Sequence, residues 1–221
     1  MRWYIDSAHV NTWQEWMPTG LFYGITTNPL LLERALLPCT HEQLASVVKI
    51  GFELGAQEMH IQTWGETAAA MANNAERIAG LDPRVVVKVP ITREGATCAS
   101  WLTARGVKTT MTALYAAHQV GTAMALGATY AAPYLGRMDE IGRDGHATVR
   151  TMQRMIQAVG SPMRLLVASV RHVSDIAALL QEGVDTFTLA PLLLPHLFSD
   201  PATTVAAADF ERAAASQQPA S

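Results

Sequence analysis

The sequence predicts an α/β fold, a (β/α)8 TIM barrel followed by a C-terminal helix. Three observations predict it. Short apolar or β-branched runs alternate with longer helical segments, and eight such runs fit into 221 residues, the pattern of a repeating strand–helix fold. Nearly every run ends in a polar side chain, and a barrel gathers its strand ends at one mouth. The other fold with this alternation, an open doubly wound sheet, usually carries a glycine-rich phosphate loop after a strand. Neither GxGxxG nor GxxxxGKS/T occurs in this chain.

The elements follow in order. Strand candidates are "WYID" (3–6), "FYGITT" (22–27), "EMHIQ" (58–62), "VVVKV" (85–89), "VKTTMT" (107–112), "YAAPY" (130–134), "LLVASV" (165–170) and "TFTLA" (186–190). Helical patterns fill residues 40–54, 65–79, 92–105, 113–126, 145–159, 172–182 and 203–215. Thr92 reads as an N-cap after Pro90. Gly106, Gly127, Gly160 and Gly183 each follow a helical pattern, where a left-handed residue ends a helix without strain. Residues 1–201 read as the barrel domain and 202–221 as a helix and frayed tail, "AASQQPAS" at its end.

Composition sets limits on function. Hydrophobic residues make up 49% and charged residues 16%, enough for a large core under a surface sparing in charge. A formal net charge of −3 gives no reason to expect a nucleic-acid or acidic-membrane partner. Apolar runs such as "LAPLLLP" (189–195) fall short of the roughly 20 residues a membrane span needs. The N-terminus has no secretory apolar stretch, because Asp6 interrupts it. Cys39 and Cys98 form neither a CxxC pair nor a disulfide framework, so a reduced, cytoplasmic protein is expected. The seven histidines show no metal-ligand spacing such as HExxH. No metal and no cofactor is expected, and the histidines read as structural or exposed.

One lysine stands out. In "RVVVKVP" (84–90), Lys88 lies among residues of a buried strand, although lysine is rarely buried. Alternation puts Lys88 on the face of Val86, with Val85, Val87 and Val89 on the other. Pro90 marks the strand's end. Lys88 facing inward would reach the barrel mouth, where loss of water favours a nucleophilic free amine. A lysine that snorkels outward or pairs with Asp6 would fit the spacing as well. The other strand ends bring Asp6, Thr26, Thr27, Asn28, Gln62, Thr112, Tyr134, Arg137, Ser169 and Arg171.

The motifs "YIDSA" (4–8), "GITTNPLLL" (24–32), "VVVKVPITREG" (85–95), "TMTALYAAHQ" (110–119), "APYLGRMD" (132–139), "LLVASVRH" (165–172) and "TFTLAP" (186–191) span nearly the whole chain. Together they make the sequence similar to the small transaldolase-like class I aldolases, in particular the fructose-6-phosphate aldolase subgroup. The resemblance implies a Schiff-base mechanism in which Lys88 attacks a ketose carbonyl. It implies Asp6 as general base at the C4 hydroxyl, Asn28 as a hydrogen-bonding partner of the donor hydroxyls, Thr112 as a threonine that helps hold a catalytic water, and Thr26 in the pocket wall. Gln62 and Tyr134 match the aldolase subgroup, where transaldolases carry glutamate and phenylalanine. Tyr134 would act as acid and base through water. Arg137, Ser169 and Arg171 match the phosphate-binding residues, and a guanidinium's planar fork suits phosphate oxygens. His9, Trp13, Trp16, Trp64 and Val170 depart from the family pattern. The implied activity is cleavage or formation of the C3–C4 bond of a ketose phosphate, with dihydroxyacetone and glyceraldehyde 3-phosphate as partners. Alternatives are a transaldolase acting on sugar phosphates or analogous anionic sugars, and a barrel that binds sugar phosphate without turnover. The resemblance also implies a homo-oligomer, a pentamer or decamer, with residues 202–216 packing on a neighbouring subunit and Phe210 as anchor.

Overall fold

Alternation along the strands sorts side chains into two cores. Val85, Val87 and Val89 belong to the large apolar cluster between strands and helices. Val86 belongs to a small separate cluster with Tyr4, Tyr130, Ala132 and Leu166, inside the barrel. Lys88 shares the inner face with Val86. The computed structural model, which describes residues 1–216, has eight strands: β1 Arg2–Asp6, β2 Gly24–Thr26, β3 Glu58–Gln62, β4 Val85–Pro90, β5 Thr109–Leu114, β6 Tyr130–Pro133, β7 Arg164–Val167 and β8 Thr186–Leu189. They are parallel and close in chain order, β8 pairing with β1. The fold is a (β/α)8 barrel, as the alternation predicts.

Its helices are α1 Val10–Trp16, α2 Pro29–Arg34, α3 His41–Glu53, α4 Ala68–Ala79, α5 Arg93–Thr103, α6 His118–Ala125, α7 Leu135–Glu140, α8 Gly145–Ala158, α9 Val173–Gln181 and α10 Pro201–Ser216. Side-chain caps start several of them: Thr40, Thr67, Thr92 and Asp144 each accept a backbone N–H three residues on, satisfying a donor that the helix leaves free. The four glycines expected to end helices all have φ between 63° and 83°.

Three departures matter for the mouth. β5 lies two residues later than the sequence suggests, because the ladder shifts register between Thr112 and Leu114 around Ala113 at φ 62°. β2 and β7 are shorter than expected, their ends turning out as loops. The short helices α1, α2 and α7 occupy what the sequence leaves as connections. Helix α10 contains no buried residue, and Phe210 is 71% exposed. The last residues of the tail, 217–221, lie outside the described part. Among the described residues no helix is long and apolar enough to cross a membrane.

Candidate active site

Lys88 is the third residue from the end of β4, only 3% exposed, between Gln62 of β3 and Thr110 of β5 in register. Its head opens into a cavity of about 500 Å³ at the C-terminal ends of the strands. Asp6, Asn28, Tyr134, Arg137, Ser169 and Arg171 line the same cavity. The sequence-predicted ring is therefore largely one site, fed by the ends of β1, β2, β4, β6 and β7.

Three predicted residues stand outside the lining, each for a readable reason. Thr26 is fully buried behind Asp6, contrary to its expected place in the pocket wall. Its hydroxyl lies 2.6 Å from Asp6 Oδ1 and 2.6 Å from Thr188 Oγ1. A carboxylate only accepts, so Thr26 donates to Asp6 and takes its own hydrogen bond from Thr188. This chain holds the carboxylate in one orientation. Thr112, 1% exposed, lies behind Tyr134, its hydroxyl 3.0 Å from the phenol oxygen. Gln62 is half-buried beside Lys88, on the side of the mouth the cavity does not reach.

Asn28 has two jobs divided between its two polar atoms. Its Oδ1 accepts from Leu31 N at 3.1 Å and caps α2, leaving the amide nitrogen as the group available to the cavity. Tyr134 sits edge-on to Tyr115 with centroids 5.7 Å apart, and the Arg137 guanidinium lies 5.0 Å from the Tyr134 ring centre. Arg171 donates through Nε to Glu140 at 3.1 Å. Ser169 adopts φ 60°, a strained conformation for serine of the kind that clusters at functional sites. Its buried hydroxyl has no partner among the described residues. Gly136 makes room for this wall: a Cβ there would lie 2.6 Å from Arg171 Cγ and 2.6 Å from Ser169 O.

A family model for "Transaldolase/Fructose-6-phosphate aldolase" matches residues 3–220. The chain belongs to the transaldolase/fructose-6-phosphate aldolase family. Among curated relatives, a "Probable transaldolase" of Thermus thermophilus is 31% identical over 209 residues, covering 93% of this chain and 94% of the relative. "Probable transaldolase 2" of Listeria monocytogenes is 31% identical over 203 residues, covering 92% and 91%. A solved mutant of flavocytochrome B2 superposes with TM-score 0.60 at 11% identity, over 86% of this chain and 57% of that one. That likeness is one of fold alone. Family membership makes aldolase/transaldolase-type chemistry the activity class of this barrel.

Below its mouth, this family member carries a polar network that the sequence reading missed. His60 is fully buried, with Nδ1 2.9 Å from Thr110 Oγ1 and Nε2 3.6 Å from Glu58 Oε2. The hydroxyls of Tyr4 and Tyr130 donate to Glu58 at 3.0 and 2.7 Å. Arg2 and Lys108 flank the same carboxylate at 3.5 and 3.4 Å. Burial opposes ionisation of Glu58, yet His60 and the two hydroxyls outweigh it and hold the carboxyl at about 2. Burial pushes His60 down to about 4, against the pull of Glu58, and pushes the Tyr130 phenol up to about 12. The sequence signal was present: Glu58, His60 and Gln62 alternate along a buried strand, a polar inner face. Of the residues that depart from the family pattern, only His9 lines the cavity. Trp13 is buried, Trp16 stacks on Phe198 at 6.1 Å, and Trp64 packs on His41 at 5.2 Å. Among the described residues no cluster of three or more His, Cys, Asp or Glu could hold a metal ion.

Proposed function

We propose that this protein is a class I aldolase that cleaves or forms the C3–C4 bond of a ketose phosphate such as fructose 6-phosphate. Dihydroxyacetone is the donor and glyceraldehyde 3-phosphate the acceptor. The observation that carries the reading is Lys88, a lysine 3% exposed whose head opens into the cavity. Its free amine adds to the C2 carbonyl and loses water to give an iminium. Asp6, aimed by Thr26, takes the proton of the C4 hydroxyl. The C4 oxygen forms the aldehyde carbonyl, the C3–C4 bond breaks, and its electron pair moves through C3 into the iminium to leave an enamine. The aldehyde departs. Protonation of the enamine at C3 and addition of water at C2 release dihydroxyacetone and restore Lys88.

Tyr134 and Thr112 hold the water that adds and leaves, the phenol giving and taking its proton. Gln62, uncharged beside Lys88, contributes hydrogen bonds and no proton transfer. The Asn28 amide nitrogen donates to the donor hydroxyls. Arg137, Ser169 and Arg171 take the phosphate, with a guanidinium supplying paired donors. Arg171 exchanges Glu140 for the ligand when it does so. The exposed α10 supports a homo-oligomer in which this helix packs on a neighbouring subunit.

The relatives' printed names favour a second reading, transfer of dihydroxyacetone between sugar phosphates. Release of free dihydroxyacetone from fructose 6-phosphate, measured with and without erythrose 4-phosphate, separates the two. The aldolase reading expects release without the acceptor. Glyceraldehyde 3-phosphate and a seven-carbon ketose phosphate formed only when erythrose 4-phosphate is present, without free dihydroxyacetone, assign the transaldolase reaction.

A further inference from the structure

Glu140 stands behind the phosphate wall without lining the cavity. It is the last residue of α7, one helical turn after Arg137, and residues three apart are neighbours on a helix surface. Its Oε1 accepts from both Nε and Nη2 of Arg171, the first at 3.1 Å. Arg137 is held in its charged form above all by Tyr115, and Glu140 adds to this. One carboxylate therefore faces both arginines of the wall. Asp175, the other carboxylate near Arg171, is taken up by the backbone N–H groups of Arg171 and His172 and by the His146 ring.

A carboxylate oxygen is the same kind of acceptor as a phosphate oxygen. Glu140 occupies the Nε–Nη2 edge of Arg171, one of the edges with which a guanidinium grips an oxyanion. It is an internal stand-in for the anion of the ligand. The fold has little need of it. The two side chains are 46% and 56% exposed, and exposed ion pairs contribute little to stability. α7 is held instead by buried Leu135 and Met138, and by Asp139, which accepts from Gly145 N at 2.9 Å. The charge of Glu140 is felt at the anion site. Two bare guanidiniums would present two positive charges there, and with Glu140 the net is one. The Ser169 hydroxyl adds a hydrogen bond but no charge.

We propose that Glu140 is a specificity-determining residue that weakens the discrimination by charge at the far end of the sugar. Attraction to the wall scales with the charge of the ligand. Lowering the net charge of the wall therefore costs a doubly charged phosphate most, a singly charged sulfonate half as much, and an uncharged end nothing. The site admits sugars and aldehydes with singly charged ends beside phosphate esters, more evenly than two bare arginines would. This inference rests on the Arg137–Ser169–Arg171 wall as the anion site of the proposed function, and it names the range of substrates that wall admits.

Hexitols test it, because they lack a carbonyl and bind without Schiff-base chemistry. Dissociation constants for hexitol 6-phosphate and for the 6-deoxy-6-sulfonate of the same hexitol are measured by calorimetry at pH 8 and fixed ionic strength. The proteins are the wild type, E140Q and R171Q. At that pH the phosphate carries close to two charges and the sulfonate one. Removing a charge roughly 6 Å from the anion, in water-like surroundings, changes affinity about threefold per unit of ligand charge. E140Q is expected to bind the sulfonate about threefold and the phosphate about tenfold more tightly than the wild type, and added salt should shrink both gains. Unchanged affinities in E140Q, an equal gain for both ligands, or weaker phosphate binding would overturn the proposal. R171Q reports separately on the wall and is expected to weaken both ligands. Affinities untouched by R171Q reject the wall as the anion site, and the proposal with it. Weakening in R171Q without a charge-graded gain in E140Q rejects the role of Glu140 alone.

Discussion

Replacing Gly136 with alanine should uncouple phosphate recognition from the chemistry at Lys88. The new Cβ would sit 2.6 Å from Arg171 Cγ, 2.6 Å from Ser169 O and 2.9 Å from Arg171 Nε. The carbonyl cannot move away cheaply, since Gly136 N–H itself donates to it at 2.9 Å. The Arg171 side chain moves out of the cavity wall, and the backbone between Gly136 and Ser169 must open as well, which loosens the same phosphate wall. A hydrogen bond to a charged group contributes about 1.5–3 kcal/mol. For a phosphorylated aldehyde acceptor, kcat/KM should therefore fall roughly 10- to 150-fold. For unphosphorylated glyceraldehyde it should change little. Overpacking also destabilises, by about 1–3 kcal/mol, so the informative quantity is the ratio of the two kcat/KM values within the variant, which cancels any loss of folded protein. A ratio equal to the wild type's, with both substrates affected alike or not at all, refutes the packing argument.

Thr26→Val removes the donor that aims Asp6 and leaves the Thr188 hydroxyl without its acceptor; kcat for C–C cleavage should fall roughly tenfold or more, with KM nearly constant. A fall in KM affinity at constant kcat would place Thr26 in binding instead. The network below the mouth makes stability depend on acid. His60 is lowered from 6.5 to about 4, so the stability it supports is present above 6.5 and declines as the unfolded chain takes up a proton that the native chain refuses. Glu58 is lowered from 4.5 to about 2; its contribution, about 3 kcal/mol at 1.36 kcal/mol per pH unit, is present above 4.5 and lost as pH falls toward 2. Urea unfolding across pH 7 to 3 should show a decline beginning near 6.5, and Glu58→Gln should flatten the part below 4.5. A variant whose stability falls below pH 4.5 as steeply as the wild type's would contradict the Glu58 assignment.

The barrel was legible because its signals are repeated. Strand alternation, Thr92 as a cap and the four left-handed glycines all point to the same element boundaries, and they agree with one another. The short helices were not legible, since Val10–Trp16, Pro29–Arg34 and Leu135–Glu140 span two turns or fewer, too few for a 3.6-residue period to emerge. The register shift at Ala113 left no sequence mark, because alanine carries no preference for φ 62°. At the site, the strand put Lys88 on the face of Val86, but valines on both faces left the direction of that face open until the barrel closed and Val86 joined the inner cluster. Thr26 was legible as a neighbour of the chemistry but not as the support of Asp6, because that relation depends on Thr188, 162 residues away in the chain. His60 and Glu58 needed the barrel to close before their shared face became an interior.

The central claim is that Lys88 becomes covalently attached to the ketose. The chain tests itself well, because its other two lysines are distinguishable: Lys49 is exposed and 3.9 Å from Glu53, and Lys108 approaches Glu58 at the far end of the barrel. The protein is incubated with fructose 6-phosphate and other ketose phosphates, reduced with borohydride, and the adduct mapped by peptide mass. One adduct is expected, on Lys88, and none in Lys88→Met. Turnover without any adduct on Lys88, or an adduct on Lys49 or Lys108 that persists in Lys88→Met, would contradict it.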